Sequence, residues 1–389
     1  MLSALFLFFF CFPDLGAETL VSPSWGFQID LPEGYFFAEG DGKNQFAFQS
    51  IMDTSFDIRV YAPGVYPSAE ELARDVQRRI GNKGEISPFV YRQKKAVLIS
   101  LDFNGNLGWG LCVELEETTT GGIPLLLALS YAPENRENVQ IIHLSALDSI
   151  RPSAADRLAP GPLTEFAYPR GERKRQPLWN MEDAAAVYEF DAEAAQSVVD
   201  REFSVFINYL NTELWKEAWI RYYRTIYADS YERLADISFI FERSLNKNVL
   251  SRESGQSTAN RDNTGAESSE AVEFAAAALK WVQSFSYERD FEGSDFVNLV
   301  SAAFEGRGDC DSRAMLWAIM LEQNNIPATI MVSQEYQHAM GLVDLPGTGA
   351  RFEFEGKKWL VAETTAKVPM GLIAADSSEI EKWTGIKLE

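Results

Sequence analysis

Apolar positions along this chain switch between two periods, and the switches mark the predicted elements. Over residues 24–131 the period is two. Gly26-Phe27-Gln28-Ile29-Asp30-Leu31 alternates and closes at Pro32-Glu33-Gly34; Phe46 and Phe48 follow, then Phe56, Ile58 and Val60, each a strand pattern. Ser68-Ala69-Glu70-Glu71 is a capping box, and Leu72, Val76 and Ile80 give the helix after it one apolar face. Residues 96–103, 108–115 and 125–131 predict three more strands, with hairpin signals at Asn104-Gly105 and Gly121-Gly122. A helix with Val139, Ile142, Ala146 and Ile150 on one face closes a compact α/β unit over 24–150.

Residues 151–180 carry Pro152, Pro160, Pro162, Pro169 and Pro177, which marks a linker. Its basic run, Arg170-Gly171-Glu172-Arg173-Lys174-Arg175, is either solvated or set against an acidic partner or the chain's own acidic face. The period then becomes helical over 181–245. Trp215, Trp219, Tyr222 and Ile226 form one stripe, and Leu234, Ile237, Phe241 and Leu245 another, as in a helical hairpin. Residues 246–269 are polar and read as a flexible loop. A last domain, 270–389, opens on a helix containing Phe274, Leu279, Trp281, Val282 and Phe285.

Composition changes the picture little: 46% apolar and 24% charged residues in 389 are globular proportions with room for several cores. The formal charge of −22 argues against a nucleic-acid partner, whose phosphates it would repel. Residues 1–17 form an apolar leader ending in Leu15-Gly16-Ala17, a signal-peptide pattern too short for a span of ~20 residues. Export to a bacterial periplasm, surface or medium is expected, with no transmembrane segment after its removal. Of three cysteines, Cys11 lies in the leader. Cys112 sits in an apolar strand pattern as a buried free thiol, which leaves Cys310.

Cys310 belongs to Gly306-Arg307-Gly308-Asp309-Cys310-Asp311-Ser312-Arg313. Two glycines and two acids there make a polar turn before a helix with Ala314, Trp317, Ala318 and Leu321 on one face. A cysteine at such a helix mouth meets free N–H groups and the positive end of the dipole, which lower a thiol pKa. His338 follows in Gln337-His338-Ala339-Met340, and Glu363 in Trp359-Leu360-Val361-Ala362-Glu363-Thr364. Cys, His and carboxylate are the parts of an activated thiol nucleophile. The only other histidine, His143, neighbours an apolar helix face and reads as structural. The separations of Cys310, His338 and Glu363 are not metal-ligand spacing, and no cofactor is expected.

Gly-Asp-Cys-Asp-Ser-Arg-Ala at a helix start, the following His-Ala and the later acid resemble the transglutaminase-like superfamily over about residues 270–370. The helix before them, running into Ser286-Tyr287-Glu288-Arg289-Asp290, resembles its lead-in. The resemblance implies an α+β, papain-like catalytic domain with Cys310 as nucleophile, His338 as general base and Glu363 as orienting acid. Two positions depart from the pattern: Met340 stands where the family usually has Trp, and Glu363 where it has Asp. Asp344 is a second candidate for the third member. Residues 24–150 resemble the PsbP-like α/β sandwich family, which implies a binding or assembly module and no functional residues.

The expected activity is attack of Cys310 on an amide of a peptide or protein, those of the cell envelope included, through a thioester. Hydrolysis is favoured over transfer to an amine. The alternative is a catalytically degenerate transglutaminase-like fold serving as an extracytoplasmic interaction module.

Overall fold

A computed structural model describes residues 19–136, 139–253, 263–289 and 294–388; the leader at 1–17 lies outside them. The chain divides into two units. Among the described residues, the first holds those up to Phe89, then Gln93–Pro152 and Tyr209–Ala218. The second holds Val90–Arg92, Ser153–Asn208 and those from Trp219 on. The class is mixed α and β with a large antiparallel sheet, and no helix among the described residues is long and apolar enough to cross a membrane.

In the first unit β1 (Leu20–Val21) pairs with β2 (Gln28–Ile29). The strand expected from Gly26 is this short because Gly26 turns the chain at φ 73° and Pro32 closes it. The main strands are β3 (Tyr35–Gly40), β4 (Gln45–Ser50), β5 (Ser55–Tyr61), β6 (Ile86–Tyr91), β7 (Lys94–Phe103), β8 (Asn106–Glu114) and β9 (Leu125–Pro133). They form one sheet in the order β3-β4-β5-β9-β8-β7-β6. At Asn104-Gly105 both residues take positive φ, 49° and 73°, as a two-residue hairpin needs.

Helix α1 (Ala69–Ile80) starts at Ser68, whose hydroxyl accepts the Glu71 N–H, and stops at left-handed Gly81. It buries Leu72, Ala73 and Val76 against Val97, Ile99, Leu125 and Leu127. Successive side chains of a strand point to opposite faces, so Ser130 of β9 faces away from α1, toward α2 (Gln140–Asp148). There its hydroxyl meets His143 Nδ1 at 2.8 Å. His143 is fully buried, and that burial lowers its pKa to about 4. It is a structural histidine.

The second unit begins with α3 (Pro162–Ala167) and a hairpin of β10 (Arg173–Pro177) with β11 (Ala184–Tyr188). The expected linker is therefore folded, and its basic run meets the chain's own acids. Arg170 bonds Glu165 and Glu232, and Lys174 bonds Glu189 at 2.6 Å. In place of one hairpin there are α4 (Asp191–Ile207), α5 (Trp215–Arg233) and α6 (Ala235–Glu253), followed by α7 (Asn263–Val282).

The polar stretch at 246–269 is thus helical up to Glu253 and again from Asn263, with 254–262 outside the described residues. Its Asn, Ser and Lys disfavour helix by only ~0.5 kcal/mol each. Both helices are anchored elsewhere, by buried Ile237 and Phe241 and by Phe274 and Leu279.

The short strands β12 (Ser286–Tyr287) and β13 (Arg307–Gly308) pair in parallel around α8 (Leu299–Glu305). Helix α9 (Cys310–Glu322) lies against a five-stranded sheet. Its strands are β14 (Ala328–Ser333), β15 (His338–Val343), β16 (Arg351–Phe354), β17 (Lys357–Ala362) and β18 (Thr384–Ile386), in the order β16-β17-β15-β14-β18. Residues 312–321 of α9 are buried on every side, as expected of a helix cased between α7, α8 and the sheet. Trp317 is its anchor: the indole donates to Ala275 O at 3.0 Å, and its six-membered ring lies where a Cβ on Gly341 of β15 would sit, 2.4 Å away.

Two predictions follow from these cores. Gly341→Ala should lower stability by ~1–3 kcal/mol through overpacking, seen as an earlier denaturant midpoint for the second unit. His143 has a folded pKa below its unfolded value, so its contribution is complete above about pH 6.5 and lost as pH falls toward 4. The loss should approach about 3 kcal/mol, and a chemical-denaturation series across that window should flatten in His143→Gln.

Candidate active site

Helix α9 needs a closed N-terminus because no water reaches its sides. Asp309 supplies the cap: its Oδ1 accepts the Ser312 N–H at 2.8 Å and the Ser312 hydroxyl at 2.5 Å. Arg313, 2% exposed, turns back from the first turn. Its Nε donates to Gly308 O and its Nη2 to Phe285 O, both at 3.0 Å, which clamps the start of β12 beside β13. The guanidinium also lies 5.5 Å from the centre of the Tyr287 ring, close enough for cation–π attraction. Cys310 is thereby fixed as the first residue of the helix, 4% exposed.

His338 opens β15, and Glu363 follows the last residue of β17. The two strands are antiparallel with Gly341 opposite Ala362, which sets His338 and Glu363 diagonally on one face. His338 Nε2 and Glu363 Oε2 are 2.8 Å apart. The other carboxylate oxygen accepts the Thr365 N–H at 2.7 Å and its hydroxyl at 2.6 Å. Burial alone would raise the Glu363 pKa. The hydrogen bond and charge of His338, with the two bonds from Thr365, outweigh it and bring the value down to about 2.

Glu363 is thus a fixed anion that orients the ring through Nε2. Asp344 lies beyond the far end of β15 and pairs with Lys357 at 3.2 Å. The Trp383 ring packs edgewise on His338, centroids 6.2 Å apart.

Around the thiol the structure departs from the expectation of a lowered pKa. Burial pushes the Cys310 thiol up, and the Asp311 carboxylate beside it pushes it further. The Ala339 N–H and the Tyr287 hydroxyl oppose this without cancelling it. The helix-mouth argument counted backbone dipoles and omitted the carboxylates beside them. Among the described residues no hydrogen bond joins Sγ to the His338 ring; the thiol lies 3.7 Å from Asp311 Oδ2 and meets the Tyr287 hydroxyl.

Three residues at this site had no assigned role in the sequence. Tyr287, in the lead-in before the cysteine, reaches Sγ. Gln283, four residues earlier, donates to Glu363 O and Val368 O, each at 2.8 Å, and so holds the backbone that carries the acid. Tyr223 of α5 donates to Asp311 Oδ1 at 2.7 Å. Tyr287 lies in the stretch before the cysteine and Gln283 in the helix leading to it, so both were open to notice there. Tyr223 is a tertiary contact from a stripe that looks like any helix core.

A polar cleft of about 370 Å³ is lined by Glu288, Arg289, Asp295 and Arg307 among others, and not by Cys310, His338 or Glu363. Among the described residues, Asp309, Cys310 and Asp311 are the acidic and sulfur donors grouped tightly enough to share an ion, within 4.8 Å of one another. Their place at a helix N-terminus, where the backbone dipole favours anions, disfavours a cation.

No family model matches this chain, and no curated protein matches it. Among solved structures it is similar to the solution structure of cyanobacterial PsbP (CyanoP) from Synechocystis sp. PCC 6803. The identity is 13% over 34% of this chain and 91% of that one, with a TM-score of 0.26. It is also similar to a crystal structure from Bacteroides thetaiotaomicron VPI-5482, with 8% identity over 88% and 89% and a TM-score of 0.24. At such scores neither likeness carries an argument about this chain.

The geometry makes one assignment easy to test. A His338 ring N–H bonded to a carboxylate should give a downfield proton resonance that exchanges slowly. Glu363→Ala should abolish it, while Asp344→Asn and His143→Gln should leave it; loss in Asp344→Asn instead would reassign the third member.

Proposed function

We propose that the second unit is a transglutaminase-like cysteine enzyme acting on amide bonds of peptides or proteins. The observation that carries this is the His338–Glu363 pair at 2.8 Å, set beside a helix that begins with Cys310. Its parts and their order match the superfamily motif, and the Ala339 N–H on Sγ ties the start of the histidine strand to the nucleophile.

In the proposed reaction Cys310 Sγ attacks the amide carbonyl carbon while His338 Nδ1 takes the thiol proton. Starting from a neutral thiol rather than a preformed ion pair agrees with the acidic, buried setting of Cys310. Glu363 stabilises the imidazolium. The Cys310 N–H, one of the orphan donors of a helix start, faces the developing oxyanion. His338 then gives the proton to the leaving amine as the C–N bond breaks, leaving a thioester on Cys310. Water attacks next in an amidase or peptidase and a primary amine in a transglutaminase; hydrolysis is the favoured course. The mixed charges of the cleft suit a polar peptide. The apolar leader supports a periplasmic, secreted or surface location, and cell-envelope peptides are the natural substrates there.

A second reading, a catalytically silent interaction module, is favoured by one observation: the thiol contacts Asp311 rather than His338. Turnover separates the two. Peptide hydrolysis, or incorporation of a labelled primary amine into protein, should fall at least ~10³-fold in Cys310→Ala and ~10²–10⁴-fold in His338→Ala. Equal rates in wild type and Cys310→Ala, with the fold intact, would leave the module reading.

A further inference from the structure

Asp309 presents a problem of its own. It is 1% exposed, its Oδ1 is occupied by Ser312, and its Oδ2 is buried with no donor to accept from. An ionised carboxylate with an orphaned oxygen in such a place is strongly disfavoured, because its desolvation is not repaid by a hydrogen bond. A protonated one is not, provided its hydroxyl finds an acceptor, and the Asp311 carboxylate is in reach. Asp311 in turn takes the Tyr223 hydroxyl on Oδ1 at 2.7 Å and lies 3.7 Å from Cys310 Sγ through Oδ2.

We propose that Asp309 is held as the neutral acid and donates its proton to Asp311, and that Asp311, pinned by that bond and by Tyr223, accepts the S–H of Cys310. Asp311 is then a positioning residue that keeps the resting nucleophile protonated until His338 removes its proton. The other groups facing this pair include Asp295 from the loop before α8, Tyr222 of α5, His338 of β15 and the Arg313 guanidinium of α9, while Tyr287 of β12 faces both Asp309 and the sulfur. Burial and the neighbouring Asp311 charge both favour the neutral form of Asp309. Its role in regulating the nucleophile rests on the function proposed above; the titration of the thiol does not.

The test is the pH dependence of iodoacetamide alkylation of Cys310, read by peptide mass spectrometry on the full chain. Asp311→Asn removes the anion beside the sulfur. Its alkylation midpoint should drop by at least one pH unit, which makes labelling about tenfold faster below the wild-type midpoint. Asp309→Asn keeps a neutral donor and an N-cap, so its midpoint should stay within ~0.3 units, a factor of about two. Should Asp309→Asn shift as far as Asp311→Asn, Asp309 is ionised and the proposal fails. No shift in a folded Asp311→Asn also overturns it.

If Asp311→Asn does not fold, the infrared difference between wild type and Asp309→Asn at neutral pH decides. A protonated carboxyl C=O band in the wild type supports the proposal, and its absence contradicts it. Missing turnover with these shifts present would count against the function alone.

Discussion

Everything at the candidate site depends on how a helix buried on all sides closes its N-terminus. Helix α9 has no solvated face at which its first N–H groups can find water, so the chain supplies Asp309 and Ser312 to cap it and Arg313 to tie it to β12 and β13. Those choices put Cys310 at the first helical position and Tyr287 over its sulfur. The same enclosure raises the thiol's pKa, because burial and the Asp311 carboxylate come with the cap. Fixing Cys310 and activating it are therefore opposed here, so the proposed reaction requires a base.

That base is oriented from the sheet rather than from the helix. The antiparallel register of β15 and β17 sets His338 and Glu363 diagonally, and Gln283 holds the Glu363 backbone from the end of α7. An extra methylene relative to Asp is accommodated without displacement of the ring contact, since Thr365 binds the second oxygen. Trp383, just before the last strand, packs edgewise on His338.

How much of this was legible in the sequence varies with the range of the interaction. The mouth of α9 was, because Gly308, Asp309 and Ser312 act within one turn. Pairing of His338 with Glu363 rather than Asp344 was legible as a choice between two acids, which the strand register decides. In the first unit β4, β5, β7, β8 and β9 were legible, since alternation and the Asn104-Gly105 turn are local, whereas β3 and β6 carried no expectation. Tyr223 was not, because it is distant in sequence and close in space; the direction of the Cys310 shift was missed because it follows from burial, which the fold sets, and from the adjacent carboxylates, which were left out of the argument. The helices at either side of 254–262 were missed because composition judged a segment whose structure is dictated by the apolar ends of α6 and α7.

The most direct test of Cys310 as an acyl-accepting nucleophile is intact-mass analysis of the purified protein after brief exposure to an activated acyl ester. One acyl adduct should form, map to Cys310, build up more slowly in His338→Ala and be absent from Cys310→Ala. Adducts scattered over lysines, or a Cys310 adduct forming at the same rate without His338, would contradict a catalytic pair.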